Sequence, residues 1–374
     1  MRIAFYAPMK PPQHPVPSGD RTMARLLIRA LGEGGHGVAV ASMFCSYDRS
    51  GDALRQLRLA RLGRALAARM VRRLEARPRA DRPELWFTYH LYHKAPDWLG
   101  PTIAARLGIP YVVAEASHAP KQASGPWALG HRAAADAIAG ADRVIALNSA
   151  DLPCLRLLAG DGDRLVRLAP FIDAAPFRTA ATNRRPTPAS PPRLITVAMM
   201  RPGDKLASYR ILGEALGRLV DRPWRLTVVG DGPARDDVRV ALAAIADRVT
   251  WLGQVAPEAL PELLSTADAF LWPAVNEAYG LALLEAQAAG LPVVAGRSGG
   301  VPDVVADGES GVVVAAGDAA AFAVAVAHVL DDPAARRRLG RAAWKRVRRQ
   351  HVLPVATARL GAVLEAVGGT RVPA

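Results

Sequence analysis

The stretch Pro273-Ala-Val-Asn-Glu-Ala-Tyr-Gly-Leu-Ala-Leu-Leu-Glu285 follows a short apolar run, Ala267–Trp272, which predicts a buried strand. A helix is predicted next because apolar residues recur at helical spacing, namely Leu281, Leu284, Ala288 and Ala289. Gly290-Leu-Pro292 ends that helix, and Val293-Val-Ala295 predicts a second buried parallel strand. The stretch therefore predicts a strand–helix–strand unit of an α/β fold.

Two carboxylates, Glu277 and Glu285, straddle the predicted strand-to-helix junction. The first N–H groups of a helix lack partners and the helix dipole favours an anion there, so phosphates can bind between the carboxylates. A sugar at one end and a ribose at the other fit this arrangement, and Gly280 lets a phosphate approach the backbone. Taken alone, the pair is better explained as two solvated helix glutamates.

Composition is typical of a folded protein of about two domains, with 374 residues, 51% hydrophobic and 22% charged. Cys45 and Cys154 lie far apart, which favours a reducing compartment, and no metal-ligand spacing occurs. The chain starts with one basic residue and a strand-like run that is too short to be a signal peptide. No apolar run approaches the ~20 residues of a membrane span. We therefore expect a cytoplasmic protein with no metal and no cofactor.

The net charge of +14 and the pI of about 10.6 leave several partners open. Nucleic acid, an anionic membrane and phosphorylated substrates all suit a basic protein, and arginine enrichment can also reflect codon bias. Aromatic residues make up only 6% of the chain and no binding module is recognisable, which argues against nucleic acid.

The first half alternates strands and helices, which predicts a parallel sheet. Its strand candidates are Arg2–Ala7, Val38–Ala41, Leu85–Thr88, Tyr111–Ala114 and Arg143–Ala146. A helix is predicted over Arg21–Leu31. The glycines of Gly32–Gly37 close this helix and open a strand, so they do not form a dinucleotide-binding loop.

A Pro-rich segment, residues 176–192, predicts a linker between domains 1–175 and 193–345. The second half then repeats the alternation, with strands at Leu194–Ala198, Arg225–Val229 and Val249–Leu252 and a helix over Ser208–Leu219. A final helix is predicted at His351–Val367, interrupted by Pro354.

The second half resembles the nucleotide-sugar domain of retaining glycosyltransferases of the GT-B fold, the large family 4. The resemblance is carried by a series of motifs in order: Val229-Gly-Asp-Gly-Pro233, Leu252-Gly253, Ala267-Asp268, Glu277-Ala-Tyr-Gly-Leu281, Glu285-Ala286, Gly290-Leu-Pro-Val-Val-Ala295, Gly299-Gly-Val-Pro-Asp303, Asp307-Gly308 and Gly311. The first half is similar more loosely, through Ser18-Gly19, Gly35-His36, His118 and Phe171-Ile-Asp173. The resemblance implies two Rossmann-like doubly wound domains facing a cleft, with the C-terminal helix returning to the first.

The resemblance also implies roles for individual residues. Arg201 and Lys205 correspond to the two cations that bind the donor diphosphate, Glu277 to the glutamate that holds the donor sugar, and Glu285 to the one that holds the ribose. His118 matches a histidine near the transferred sugar, although a lone histidine is as often structural. The remaining donor-binding positions are Ser18, Gly19, Gly230, Gly232, Leu252, Val255, Tyr279, Gly280 and Leu281.

The implied reaction moves a hexosyl group from a nucleotide-diphosphate sugar to a hydroxyl of a glycan or lipid-linked acceptor, with retention and without a metal, in polysaccharide or glycolipid synthesis. Fixed cations stabilise the charge that develops on the departing diphosphate. Alternatives are an epimerase or phosphorylase acting on activated sugars, a sugar-binding protein without activity, and a basic nucleic-acid-binding protein.

Residues Ala53–Arg77 predict one long basic helix whose leucines recur at steps of three to five. A basic amphipathic helix can lie on an anionic membrane, which would place the protein at the inner face of the membrane and favour a lipid-linked acceptor. The alternative is a helix that packs its leucines on the sheet and shows its arginines to water.

Overall fold

The computed structural model describes residues 1–160, 162–182 and 191–368 of the chain. The chain divides into two compact units, unit 1 with Met1–Leu168 and Pro354–Ala374, and unit 2 with Ala169–Leu353. Each unit contains one six-stranded parallel sheet. The predicted linker begins inside a helix, because Ala175–Thr182 is helical, and its residues 183–190 lie outside the described part.

Unit 1 alternates strands and helices along the chain. Its elements are β1 (Arg2–Tyr6), α1 (Gly19–Glu33), β2 (Gly37–Ser42), α2 (Ala53–Glu75), β3 (Leu85–Leu91), α3 (Gly100–Leu107), β4 (Tyr111–Ala116), α4 (Ala128–Gly140), β5 (Arg143–Ala146), α5 (Leu152–Ala159) and β6 (Leu165–Arg167). The strand order is β2-β1-β3-β4-β5-β6, so it reverses between β1 and β3. Every residue of β4 is buried, as expected of a parallel strand covered on both faces.

Unit 2 repeats the alternation. Its elements are α6 (Ala175–Thr182), β7 (Arg193–Val197), α7 (Asp204–Gly217), β8 (Arg225–Val229), α8 (Arg235–Ala241), β9 (Val249–Gly253), α9 (Leu260–Thr266), β10 (Ala269–Trp272), α10 (Leu281–Ala288), β11 (Val293–Arg297), α11 (Val301–Val304), β12 (Gly311–Ala315), α12 (Ala319–Asp331) and α13 (Pro333–Gln350). The order β12-β11-β10-β7-β8-β9 reverses between β7 and β10. Ligands of doubly wound sheets bind beyond the carboxyl ends of the strands at such a reversal.

The last helix, α14, spans Leu353–Gly368, and its residues from Pro354 onward belong to unit 1. The prediction that Pro354 interrupts this helix is wrong. Pro354 lies in the first turn, where a missing N–H removes no intrahelical hydrogen bond.

Helix α2 packs through only part of its predicted apolar stripe, because Leu74 is buried and Leu66 and Met70 are partly buried against the core of unit 1. Its buried face consists mainly of small residues, with the set Gln56, Ala60, Gly63, Ala67, Val71 and Leu74. A Cβ at Gly63 would lie 2.4 Å from Cβ of Trp98, so the neighbouring chain requires this close approach. The side chains of Leu54, Leu57 and Leu62 remain 64%, 43% and 51% exposed. None of the described helices has the length and apolarity needed to cross a membrane.

Candidate active site

The loop after β7 brings two predicted cations to the strand-order reversal of unit 2. Arg201 lies in this loop, and α7 begins at Asp204, earlier than the predicted Ser208, so Lys205 lies in the first helical turn. A cation is disfavoured by the helix dipole at this position, so a nearby carboxylate has a clear stabilising role. Because β7 and β10 are parallel neighbours, the loop after β10 lies at the same sheet edge.

Glu277, in the loop after β10, supplies that carboxylate. Lys205 Nζ lies 2.5 Å from Glu277 Oε2, with the two side chains 25% and 17% exposed. The indole Nε1 of Trp272 donates a second hydrogen bond to the same Oε2, at 3.0 Å. The Lys205 ammonium also lies 5.2 Å from the centre of the Trp272 ring. The structure therefore pairs two of the predicted site residues directly, and one tryptophan contacts both of them.

The loop that carries Glu277 is anchored to α7 by side chains. Asn276 Nδ2 donates to Asp204 Oδ2 at 2.8 Å, and the backbone N–H of Val275 donates to Ser208 Oγ at 3.0 Å. Ala274 and Asn276 have φ values of 57° and 50°, a left-handed conformation that is costly for residues other than glycine. Strain of this kind is retained where surrounding contacts fix the backbone, often at functional sites.

Two predicted glycines permit close backbone approach. A Cβ at Gly230 would lie 1.9 Å from the carbonyl oxygen of Ala198, and one at Gly232 would lie 2.3 Å from that of Met200. Both residues have a φ that only glycine adopts readily, 137° and 155°. The turn after β8 is therefore held directly against the loop after β7.

Gly280 precedes the first residue of α10, Leu281, and has a left-handed φ of 67°. Gly280 therefore forms the turn between the loop that carries Glu277 and the first residues of α10. Tyr279, which is predicted to bind the donor together with Gly280 and Leu281, is 4% exposed.

Glu285 lies in the second turn of α10 and is only partly exposed. Burial disfavours the charged form and raises the pKa of this carboxyl group to about 7. Among the described residues, the structure shows no hydrogen bond or ion pair to its side chain. A ligand that donates hydrogen bonds would stabilise the ionised carboxylate.

The residues predicted to cradle the base lie on or just after β9, beside β8. Leu252 is 39% exposed and Val255 is half-buried. Gly230 N–H donates to the carbonyl of Gly253 at 2.8 Å, so the turn after β8 and the end of β9 are in contact.

The predicted residues of unit 1 lie at the carboxyl ends of its own strands. Helix α1 starts at Gly19, earlier than the predicted Arg21, and Ser18 Oγ caps it by accepting from Arg21 N–H at 3.3 Å. His118 follows β4, and its ring lies 4.9 Å from that of His131. Burial and the neighbouring His131 lower the pKa of His118, so its imidazole is neutral at pH 7.

Sequence reasoning missed a close contact in unit 1 between Asp20 Oδ1 and His90 Nδ1, which lie 3.2 Å apart and form an ion pair when His90 is protonated. Hydrogen bonding and charge from Asp20 raise the pKa of His90 against the opposing effect of burial. His90 has a left-handed φ of 63° at the end of β3, which no sequence pattern indicates. Trp272 was also missed, because it reads simply as the last apolar residue of a strand.

No group of three or more His, Cys, Asp or Glu side chains in the described ranges is placed to hold a metal ion.

Comparison with known proteins shows a similarity to one family over part of the chain. Residues 191–332 match the model of the family described as glycosyl transferases group 1. The D-inositol 3-phosphate glycosyltransferase of Corynebacterium diphtheriae is 40% identical over 36% of this chain and 33% of its own length. That of Nocardia farcinica is 34% identical over 54% of this chain and 48% of its own length. Residues 191–332 are therefore similar to the group 1 glycosyltransferases, and the chain spans at most about half of the length of these relatives.

Solved structures match the whole chain in fold. Sucrose-phosphate synthase from Thermosynechococcus elongatus has a TM-score of 0.73 at 20% identity, covering 99% of this chain and 100% of its own. Anabaena HepE in complex with UDP-glucose has a TM-score of 0.69 at 17% identity, covering 98% and 100%. The predicted fold class, two Rossmann-like α/β units of the GT-B kind, is confirmed.

Proposed function

We propose that this protein is a retaining glycosyltransferase that moves a hexosyl group from a nucleotide-diphosphate sugar to an acceptor hydroxyl. The observation that carries the proposal is the pair of Lys205 and Glu277, held at the strand-order reversal of a sheet whose family match is to glycosyltransferases. The bound UDP-glucose of the HepE structure supports a nucleotide sugar as donor.

In the proposed reaction, Arg201 and Lys205 bind the diphosphate and stabilise the negative charge that develops as the bond to the anomeric carbon breaks. The acceptor oxygen attacks on the side of the leaving group, and its proton passes to a phosphate oxygen, so retention needs no enzyme nucleophile. Glu277 holds the sugar hydroxyls and Glu285 the ribose. The two cations supply the charge that a metal would otherwise provide.

In unit 1, the neutral imidazole of His118 is proposed to bind a hydroxyl of the transferred sugar, which a charged ring would do less selectively. Ser18 and Gly19 are proposed to face the donor phosphate, because the start of α1 presents backbone N–H groups there. The acceptor is proposed to be a glycan or a lipid-linked sugar.

The test begins with nucleotide binding, followed by product analysis. Thermal-shift measurements with UDP, GDP and their sugars should identify the donor, because a ligand raises the melting temperature according to its affinity. With an acceptor, the nucleoside diphosphate should be released and the product should keep the anomeric configuration of the donor by proton NMR. Product formation should persist in EDTA. Release without acceptor, or phosphate-dependent release, would favour the epimerase or phosphorylase alternative.

Helix α2 supports a proposed membrane partner. Its outward side combines the exposed leucines Leu54, Leu57 and Leu62 with a set of exposed arginines, Arg55, Arg58, Arg61, Arg64, Arg69, Arg72 and Arg73. The opposite face of α2 packs against the rest of unit 1, so Leu54, Leu57 and Leu62 remain available to insert among lipids. Arginines beside inserted apolar side chains suit anionic headgroups.

Co-sedimentation with anionic and neutral vesicles tests this partner. The protein should pellet with anionic vesicles, and replacing Leu54, Leu57 and Leu62 by Ser should weaken this binding. Leu157→Ser is the matched control, because Leu157 is also in unit 1 and 70% exposed. Negligible binding to both kinds of vesicle would exclude a membrane partner for α2.

A further inference from the structure

Trp272 contacts both members of the Lys205–Glu277 pair without being accessible itself. It is the last residue of β10 and is 3% exposed. Its Nε1–H donates to Glu277 Oε2 at 3.0 Å, and its ring centre lies 5.2 Å from Lys205 Nζ. One side chain therefore restricts the positions of the carboxylate and of the ammonium.

The indole ring is itself fixed from the other side. The ring of Tyr209 on α7 meets it edge-on, with centroids 5.2 Å apart and planes at 78°. The Tyr209 hydroxyl donates to the carbonyl oxygen of Ala198 at 2.9 Å, at the end of β7. A chain of contacts thus links the backbone of β7 to Glu277, which makes the orientation of the indole rigid.

Both hydrogen bonds to the Glu277 side chain end on the same oxygen. Oε2 accepts from Lys205 Nζ and from Trp272 Nε1, whereas Oε1 accepts no hydrogen bond from the residues in the described ranges. An ammonium group has three N–H donors, and Glu277 uses one of those of Lys205. The pair therefore keeps binding capacity on each side while it stays intact.

We infer that Trp272 is a positioning residue that reserves Oε1 of Glu277 for a hydroxyl of the donor sugar, while Lys205 keeps its remaining N–H groups for the diphosphate. The inference rests on the proposed function. The carboxylate–ammonium pair then bridges the sugar and the leaving group without breaking when the donor binds. Loss of the indole N–H frees Glu277 to rotate, so that sugar recognition is lost while nucleotide recognition remains.

The chain offers a matched control in Trp224, a second buried tryptophan of unit 2. It is 2% exposed, its Nε1 donates to the carbonyl oxygen of Leu219 at 2.8 Å, and Arg248 lies 5.0 Å from its ring. Replacement by Phe removes the same N–H and disturbs a similar cation contact at both positions. Of these two tryptophans, Trp272 contacts the Lys205–Glu277 pair and Trp224 does not.

The experiment measures the affinities for UDP-glucose and UDP, and for GDP-mannose and GDP, by isothermal titration calorimetry. Trp272→Phe should weaken binding of the nucleotide sugar about tenfold or more, as expected for a hydrogen bond to a charged group, and change binding of the nucleoside diphosphate less than about threefold. Trp224→Phe should leave both affinities unchanged, even if it lowers the melting temperature as much as Trp272→Phe does.

A double variant separates positioning from general destabilisation. If Trp272 acts through Glu277, then adding Trp272→Phe to Glu277→Gln should cause little further loss of nucleotide-sugar affinity. Equal loss for the nucleotide sugar and the nucleoside diphosphate, or additive losses in the double variant, would overturn the inference. A wild-type protein that binds neither pair of ligands would overturn the proposed function itself.

Discussion

Glu285 provides a prediction whose magnitude follows from its surroundings. Burial raises the pKa of its carboxyl group to about 7, so in the empty protein about half of the molecules carry a neutral Glu285 at pH 7. Ribose hydroxyls donate to a carboxylate more strongly than to a carboxylic acid. We therefore expect donor binding to select the ionised form and to release a proton.

The size of the effect follows from the ionised fraction. That fraction is about a tenth at pH 6 and about nine tenths at pH 8 for a pKa of about 7, so donor affinity should rise about tenfold across this range. The folding stability of the protein without donor should change with pH in the opposite direction to the donor affinity. A carboxyl whose pKa is higher in the folded than in the unfolded state holds its proton longer when folded, so its contribution to stability is lost as pH rises toward 7 and above.

The assay is calorimetry with UDP-glucose at pH 6, 7 and 8, because its pyrophosphate, unlike the terminal phosphate of UDP, does not titrate in this range. Two buffers with different ionisation enthalpies give the number of protons released. Glu285→Gln is the control and should show a flat profile. Wild-type affinity that is independent of pH, with no proton release, would refute the reasoning.

Further predictions concern the cations and the glycines of unit 2. Lys205→Ala should lower the turnover number about 100-fold, because one charge-stabilising donor is lost. Lys345 is exposed on α13, and Lys345→Ala should not lower the turnover number. Equal turnover numbers for the two variants would exclude the proposed role of Lys205. Gly230→Ala should cost about 3 kcal/mol or more in the free energy of unfolding, because its Cβ would lie 1.9 Å from the carbonyl oxygen of Ala198 at a φ of 137°. Gly217→Ala places no atom within 4 Å of the new Cβ, so it should change the free energy of unfolding, measured in urea, by no more than about 1 kcal/mol. Similar losses of stability in Gly230→Ala and Gly217→Ala would contradict the steric argument.

Much of the fold could be predicted because local patterns and packing agree. The junction between β10 and α10 falls where the apolar run ends and Gly280 permits the turn. Gly290, with a φ of 80°, follows α10 as predicted, and Asp332 caps α13 by accepting from two backbone N–H groups. These features depend on residues close together in sequence.

The features that could not be predicted depend on contacts between distant segments. The leucines of α2 suggested its packing face, but the close approach at Gly63 places small residues against the neighbouring chain while Leu54, Leu57 and Leu62 stay exposed. Helix α7 begins at Asp204 because that segment makes contacts with the loop after β10, such as Asp204 to Asn276. The hydrogen bond from Trp272 to Glu277 likewise requires the three-dimensional orientation of the indole, which sequence spacing does not give.

A crystal structure of the protein with UDP-glucose tests the central claim most directly. We predict the diphosphate within hydrogen-bond distance of Lys205 Nζ and the Arg201 guanidinium, the ribose at Glu285 and the sugar at Oε1 of Glu277. A nucleotide bound elsewhere on the chain, with the Lys205–Glu277 pair untouched by the ligand, would contradict it.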